Sequence, residues 1–553
     1  MKRLISILVT AAMLVTLLAG MTFITSAAEY SGTWGELTWT LDSSGKLVIS
    51  GKGEMKDFPE YSHEAWQNHN GYIKSVVIKD GITRIGNFAF HNCGNLTSIT
   101  IPNSVKGIGR LAFFNCSKLT SATIPNSVTG IGTSAFASCS SLTSITIPNS
   151  VTSIADYLFQ DCNNLTRIKL PDSITNIGSY AFCYCSSLTS INIPNSVTKI
   201  GGGAFYGCSN LTSINIPDSI TSIGINAFEH CYGLIEKENG IHYLDKWVVG
   251  CDFYLDTAVL RNDSIAISDE VFSNYHLKSI TIPASIKTIG AGAFENCENL
   301  SVYITDLEAW FSIDFKDSSS NPLNYAENIF LNEICITDLD LTIPDNIKII
   351  KDYAFYGYSA LKSVNIGSSV TSIGDSAFYG CSGLRSITIS DSVTEIGWSA
   401  FSDSHFVEKI IYCGTEEQWN NISKGGGWKY NTGIYTINKS YTLQYHKFND
   451  GTITTEPTYD SEGVKTYTCE CGETKTETVA KLEKTPETTV ETTTTTAATT
   501  TDVTAANGTT TTSNDGVNVS VEGCSSSITF GAGLAILAVG AAAITLCKKK
   551  EDN

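Results

Sequence analysis

Cysteine is the residue in this chain whose spacing most invites chemistry. Cys93, Cys116, Cys139, Cys162, Cys185, Cys208 and Cys231 recur every 23 residues, each three places after a phenylalanine of the series Phe90, Phe113, Phe136, Phe159, Phe182, Phe205 and Phe228. Thiols can form disulfides, hold metals as thiolates or act as nucleophiles. The fixed step argues against disulfides, because equivalent positions of a repeat face one interior column, where reduced Cys packs as a small apolar residue. Coils with paired strands lie ~4.8 Å apart, so Cα separation alone permits a bond. Joining two members of such a ladder, however, would twist the coils out of equivalence. Buried thiols are therefore expected, with the oxidation state of the ladder left open and Cys183 beside Cys185 set apart as an exception. Cys297 and Cys381 fall on the same repeat position.

A second set of potential ligands lies near the C-terminus. Cys469 and Cys471, in a Cys-x-Cys arrangement, and His446 make three weak metal candidates, one short of a closed structural zinc site. A metal-free β-spacer is the reading adopted, and no cofactor is expected. Catalytic constellations are missing from the sequence. There is no Gly-x-Ser-x-Gly elbow and no Gly-Lys-Ser/Thr phosphate loop, and His63-Glu64 lacks the second His of a zinc-protease helix. The eight histidines are scattered, and paired carboxylates such as Asp338 and Asp340 are ordinary on an acidic surface. The expectation is a protein that is not an enzyme. A formal net charge of -19, with lysine and arginine dispersed, excludes nucleic acid as a natural partner.

The elements that place these residues follow from the same period. A repeat of this length marks a solenoid, in which each unit stacks on the last. In the unit 141–154, Leu142, Ile145 and Ile147 follow the Leu-x-x-Leu-x-Leu pattern, and Ile145 and Ile147 alternate with Ser144 and Thr146 as in a half-buried strand. Pro148 ends the strand, as do Pro102, Pro125, Pro171, Pro194, Pro217, Pro283 and Pro344 in other units. A short extended piece, 151–154, leads to a turn where most units place Gly (Gly86, Gly109, Gly132, Gly178, Gly201, Gly224), which tolerates positive φ. The segment 134–139 reads as a helical turn, because Ala135 and Cys139 are four apart with Phe136 beside them. The fold class expected is a leucine-rich-repeat solenoid, β-rich with short helical turns.

The polar positions of the main strands line one continuous outer face. About 12 coils at ~4.8 Å give it a length of ~60 Å. Ser144, Thr146, Arg167, Lys169, Ser190, Asn192, Ser213 and Asn215 are the binding candidates on it, offering weak hydrogen bonds to an extended extracellular protein or glycan. The plainer alternative is that Ser and Thr are soluble strand formers. Two stretches break the period: 232–271, with Ile241-His242-Tyr243 and Trp247-Val248-Val249, and 299–353, with Trp310, Phe311 and Phe315. These are either ligand-facing loops or degenerate repeats that continue the core.

The ends read as targeting segments. Residues 1–28 have the charged start (Lys2, Arg3), apolar stretch and Ser26-Ala27-Ala28 site of a secretory signal. Residues 528–547 carry no charge and are followed by Lys548, Lys549 and Lys550, the pattern of a transmembrane helix with a cytoplasmic tail. A removable sorting tail is the rival, though no Leu-Pro-x-Thr-Gly signal precedes it. The tract before it, with runs at 492–496 and 509–512, is a disordered Thr-rich stalk that spans at most ~150–165 Å from Leu482 to Ser527. The organisation expected is: 1–28 signal; 29–75 N-terminal β cap; 76–231 regular repeats; 232–298 atypical then regular repeats; 299–353 interruption; 354–412 repeats; 413–440 flank; 441–482 small C-terminal β-module; 483–527 stalk; 528–547 membrane segment; 548–553 tail.

The unit Leu-Thr-Ser-Ile-Thr-Ile-Pro-Asn-Ser-Val-Thr-Ser-Ile-Gly-x-x-Ala-Phe-x-x-Cys resembles the 23-residue repeat of the BspA-like bacterial leucine-rich-repeat surface proteins, over roughly 76–412. The opening region, with Leu37-Thr38-Trp39-Thr40-Leu41 and Lys46-Leu47-Val48-Ile49-Ser50-Gly51, is similar to that family's N-terminal cap. The segment Thr466-Tyr467-Thr468-Cys469-Glu470-Cys471-Gly472 is similar to the small Cys-containing β-modules that accompany repeats in bacterial surface proteins. The resemblance implies a non-catalytic, adhesin-like protein on the extracellular face of a bacterial cell. The alternatives are a passive wall-associated scaffold or spacer, and a carbohydrate-binding component of a surface degradative system.

Overall fold

The computed structural model describes residues 28–60, 64–336, 339–429, 442–444, 449–468 and 474–482. It is a β-solenoid of about 15 turns. Each regular coil has three sides. The first carries the expected strand, such as Ser144–Thr146, which pairs in parallel with Ser121–Thr123; Ser190–Asn192 likewise pairs with Ser213–Asn215. Alternation sets its faces: Ile145 is buried while Ser144 and Thr146 are exposed. The second side carries a two-residue strand, and Ser153–Ile154, Asn176–Ile177, Lys199–Ile200 and Ser222–Ile223 form one parallel sheet.

The third side corrects the expectation of a helical turn. Ser134 and Ser138 have φ of 56° and 58°, and the same two positions are left-handed at Leu111 and Asn115, Tyr157 and Asp161, and Tyr180 and Tyr184. The N–H groups of Ala135, Ala137 and Cys139 close tight turns onto Gly132, Ser134 and Phe136. Those of Ser134, Phe136 and Ser138 cross to the carbonyls of Asp156, Leu158 and Gln160 in the next coil. A helix would direct every N–H along its own axis and leave none for the neighbour. The left-handed residues cost about 1–2 kcal/mol each, and the bonds between coils offset that cost.

The glycines before these turns also act differently from expectation. Gly109, Gly132, Gly178, Gly201 and Gly224 do not have positive φ. A Cβ on Gly201 would lie 2.5 Å from the amide nitrogen of Ser179, and one on Gly132 would lie 2.5 Å from that of Arg110. Glycine is needed because the preceding coil's backbone occupies the space. Ala155 stands at this position in one coil. Gly132, Gly178, Gly201 and Gly224 each donate N–H to an Ile of the preceding coil, but Ala155 makes no such bond, and the two-residue sheet divides between Gly130–Ile131 and Ser153–Ile154. The flanking rings Phe136 and Phe159 are 6.1 Å apart, against 5.0 Å for Phe113 and Phe136 and 5.5 Å for Phe159 and Phe182. The extra methyl group has opened the stack.

The phenylalanines form the expected interior column, fully buried and stacked ring on ring. Trp66 closes its N-terminal end, 6.1 Å from Phe90, with its indole N–H donated to the Ala89 carbonyl at 2.7 Å. Before it, Ala28–Trp34, Leu37–Asp42 and Lys46–Gly51 form an antiparallel meander whose last strand pairs in parallel with Ser75–Ile78. In the second break, Trp310, Phe311 and Phe315 are buried rather than ligand-facing. Trp310 donates to the Ala354 carbonyl at 2.9 Å, repeating the role of Trp66. In the first break, Glu236–Glu238, Ile241–Leu244 and Trp247–Cys251 form an antiparallel meander joined to the stack through Ala266–Ile267. Near the C-terminus, Thr452–Thr455, Gly463–Thr468 and Thr474–Val479 make a three-stranded antiparallel sheet. The expected signal (1–27 of it), stalk, membrane segment and tail lie outside the described residues; among the described residues no helix is long and apolar enough to cross a membrane.

Candidate binding surfaces

All eight residues proposed from the sequence are exposed on the strand side. Lys169 is bridged in parallel to Thr146, and Ser190 and Asn192 face Ser213 and Asn215. Asn215 is already engaged: its amide donates to the Ile193 carbonyl and accepts from the Ile193 N–H, both at 2.8 Å. The hydroxyls just before the strands are engaged too, as Thr143, Thr166 and Thr212 each donate to the preceding coil. Ser144, Thr146, Arg167, Lys169, Ser190, Asn192 and Ser213 have side chains with no partner among the described residues. They line the same side of four successive coils, with two cations on one of them.

The cysteine ladder is interior and reduced. From Cys116 to Cys231 each thiol donates to a phenylalanine carbonyl in the coil before, as Cys139 does to Phe113 at 3.2 Å and Cys208 to Phe182 at 3.1 Å. Cys297 and Cys381 do the same toward Phe272 and Phe355. Burial pushes the Cys139 and Cys231 thiols up to about 12, which removes them as nucleophiles near neutral pH. Cys183, the proposed exception, is buried as well, and burial with Asp161 nearby pushes it up to about 11. His446, Cys469 and Cys471 lie outside the described residues, among which no group of three or more His, Cys, Asp or Glu is placed to hold a metal ion.

The turn side carries a surface that the sequence reading missed. Rings flank the core phenylalanines there: Tyr157 stacks on Tyr180 at 5.1 Å, and Tyr184, Tyr206, His230 and Tyr232 follow edge to face or tilted at 5.5, 5.0 and 5.7 Å. The available signal was aromatic residues just outside the Phe position of the repeat.

This row ends at a fault in the ladder. Gly203, Phe205 and Gly207 donate N–H to Ile225, Ala227 and Glu229 of the next coil. The next donors, Asn226, Phe228 and His230, reach no backbone carbonyl among the described residues, because the meander 236–251 intervenes. The equivalent acceptors, Asp269, Val271 and Ser273, belong to a coil 44 positions further along by its phenylalanine, Phe272. A cavity of about 550 Å³ opens between the two walls, with Glu229, His230 and Tyr232 on one side, Asp269, Glu270 and Tyr275 on the other, and Lys237 and His242 on the meander. Burial raises the Asp269 carboxyl above the usual carboxylate range despite the bond it accepts from the Ala291 N–H at 3.0 Å. Burial also raises the Tyr275 phenol, with Cys251 and Glu229 adding to the effect. His242 is held by Asp252 at 2.8 Å.

The profile of the family described as "BspA type Leucine rich repeat region (6 copies)" matches residues 61–188, 175–301 and 325–446, more than half of the chain. Among solved structures, the chain is similar to a leucine rich cell surface protein from Faecalibacterium prausnitzii A2-165, at 30% identity over 72% of this chain and 99% of that one, with a TM-score of 0.31. A leucine-rich repeat protein from Bacteroides ovatus ATCC 8483 is 23% identical over 76% of this chain and 100% of its own, with a TM-score of 0.34. The T. pallidum Leucine Rich Repeat protein is 28% identical over 37% and 90%, with a TM-score of 0.29. No curated protein matches the chain.

Proposed function

The chain belongs to the family of BspA-type leucine-rich-repeat proteins, and from that premise we propose that it is a non-catalytic binding protein of the bacterial cell surface, engaging an extracellular protein or glycan along its solenoid. One observation carries the reading. The thiols are buried and bonded to phenylalanine carbonyls and the flanking hydroxyls are bonded to neighbouring backbone, while one outer side presents unpartnered polar side chains and another a row of aromatic rings over several coils. Such a surface suits an extended ligand held by many weak contacts. The signal-like start and the charge-free segment 528–547 with its lysine triplet support export and membrane anchoring with the solenoid outside. The test is retention of the full chain, purified in detergent, on arrays of matrix proteins and of glycans. Selective retention supports the reading, and retention on neither array favours a passive spacer.

A further inference from the structure

We propose that the fault between the coil of Phe228 and the coil of Phe272 is a binding site for a neutral oligosaccharide. The inference rests on the binding-protein reading and gives it a place and a ligand class. Three features of the cavity select that class.

The first is the pair of walls. One presents the N–H groups of Asn226, Phe228 and His230, and the other the carbonyls of Asp269, Val271 and Ser273, of which Val271 also accepts from the Cys251 thiol. A hydroxyl both donates and accepts, so a polyol can meet either wall, whereas a simple anion or cation can meet only one.

The second is charge. Glu229, Asp269 and Glu270 line the cavity against Lys237, in a chain of net charge -19. Phosphates and acidic glycans are repelled, while carboxylates accept readily from sugar hydroxyls.

The third is the rim. Tyr232, Phe253 and Tyr254 are 74%, 69% and 89% exposed. Phe253 abuts Tyr275 of the lining at 5.7 Å, and the row from Tyr184 through Tyr206 and His230 ends at Tyr232. Exposed rings of this kind offer an apolar face beside a polar tip, matching a pyranose, whose faces are C–H and whose edge is hydroxyl. The volume falls within the ~300–1,000 Å³ of small-ligand sites. A peptide is a poorer fit, because the two main walls are turns with left-handed residues (Asn226 at 54°, His230 at 62°), not strand edges that a peptide could extend.

The full chain is titrated calorimetrically with the hexasaccharides of β-1,4-glucose, β-1,4-xylose, β-1,4-N-acetylglucosamine and α-1,4-glucose, and with an extended-peptide library. At least one hexasaccharide is expected to bind, with affinity unchanged between about 50 mM and about 500 mM salt, since a neutral ligand is not screened. Tyr232→Ala and Glu270→Gln, both at exposed positions, should each weaken it about tenfold, while Lys348→Ser, exposed and several coils away from the fault, should not. Saccharide binding that survives the fault variants overturns the site and leaves the binding reading intact. Retention of peptides or matrix proteins without any saccharide overturns the ligand class alone. Retention of nothing overturns both.

Discussion

The thiol of Cys116 donates a hydrogen bond to the carbonyl of Phe90, 3.2 Å away in the preceding coil. The same bond recurs from Cys185 to Phe159 and from Cys231 to Phe205. Where Phe401 is followed by serine instead, Ser404 donates to Phe378 at 2.9 Å. In these coils the position holds a small side chain with one donor, which accounts for cysteine there without any redox or metal role, while Tyr275 and Tyr358 stand at it in two others.

Cys139→Ser should accordingly cost no more than about 1 kcal/mol, because the hydroxyl keeps the donor. Cys139→Val should cost about 2–4 kcal/mol, combining the lost bond with overpacking. Urea unfolding midpoints separate the two. With the thiol pushed up to about 12, Cys139 should resist thiol reagents at neutral pH until the chain unfolds.

Gly201→Ala should destabilise by about 1–3 kcal/mol, reversing the gain that glycine replacement brings at an open site. The added methyl would sit 2.5 Å from the Ser179 nitrogen. Ala155→Gly should be nearly neutral overall, since relief of the wedge offsets the chain entropy of glycine, about 0.5–1 kcal/mol. Hydrogen exchange would register it as new protection at residue 155, where the missing bond to Ile131 can form.

Acid should weaken the N-terminal cap through Asp57. Burial raises its carboxyl, but the Asn87 N–H at 2.8 Å and the Arg84 guanidinium at 2.6 Å outweigh that and hold it below the usual range. A carboxyl lowered by folding binds fewer protons folded than unfolded, so its contribution is complete above an unfolded value of about 4 and is lost as pH falls through the folded one. Melting temperatures of Asp57→Asn should therefore fall less than those of the parent between about pH 6 and about pH 3.

Arg167→Ser with Lys169→Ser should weaken any acidic partner and steepen nothing else, because both side chains are exposed and unpartnered on the strand side. Loss of affinity should be largest at low salt. Unchanged affinity for an acidic ligand rejects a role for the pair.

The period of Phe and Cys made the coil, its interior and its strand side legible, because buried residues at fixed spacing carry the stack's energy. The turn side was not legible for a specific reason. Ala135 and Cys139 stand four apart, as on a helix, but the backbone is set by bonds to the next coil, which force Leu111, Tyr157 and Tyr180 into left-handed conformations that their own preferences oppose. The fault was hidden for another reason. It exists because the meander 236–251 separates two turns, and nothing in 232–271 repeats. The glycines were seen, but their purpose depends on a neighbour 22 residues back in sequence, as with Gly201 and Ser179.

The fault beyond Phe228 gives the rod a preferred breaking point. A column loaded along its length yields where the fewest bonds cross, and here three successive turn-side N–H groups reach no backbone carbonyl among the described residues and the buried core divides into two clusters. Under tension the solenoid should separate first at this joint, into two shorter stacks that each remain wound.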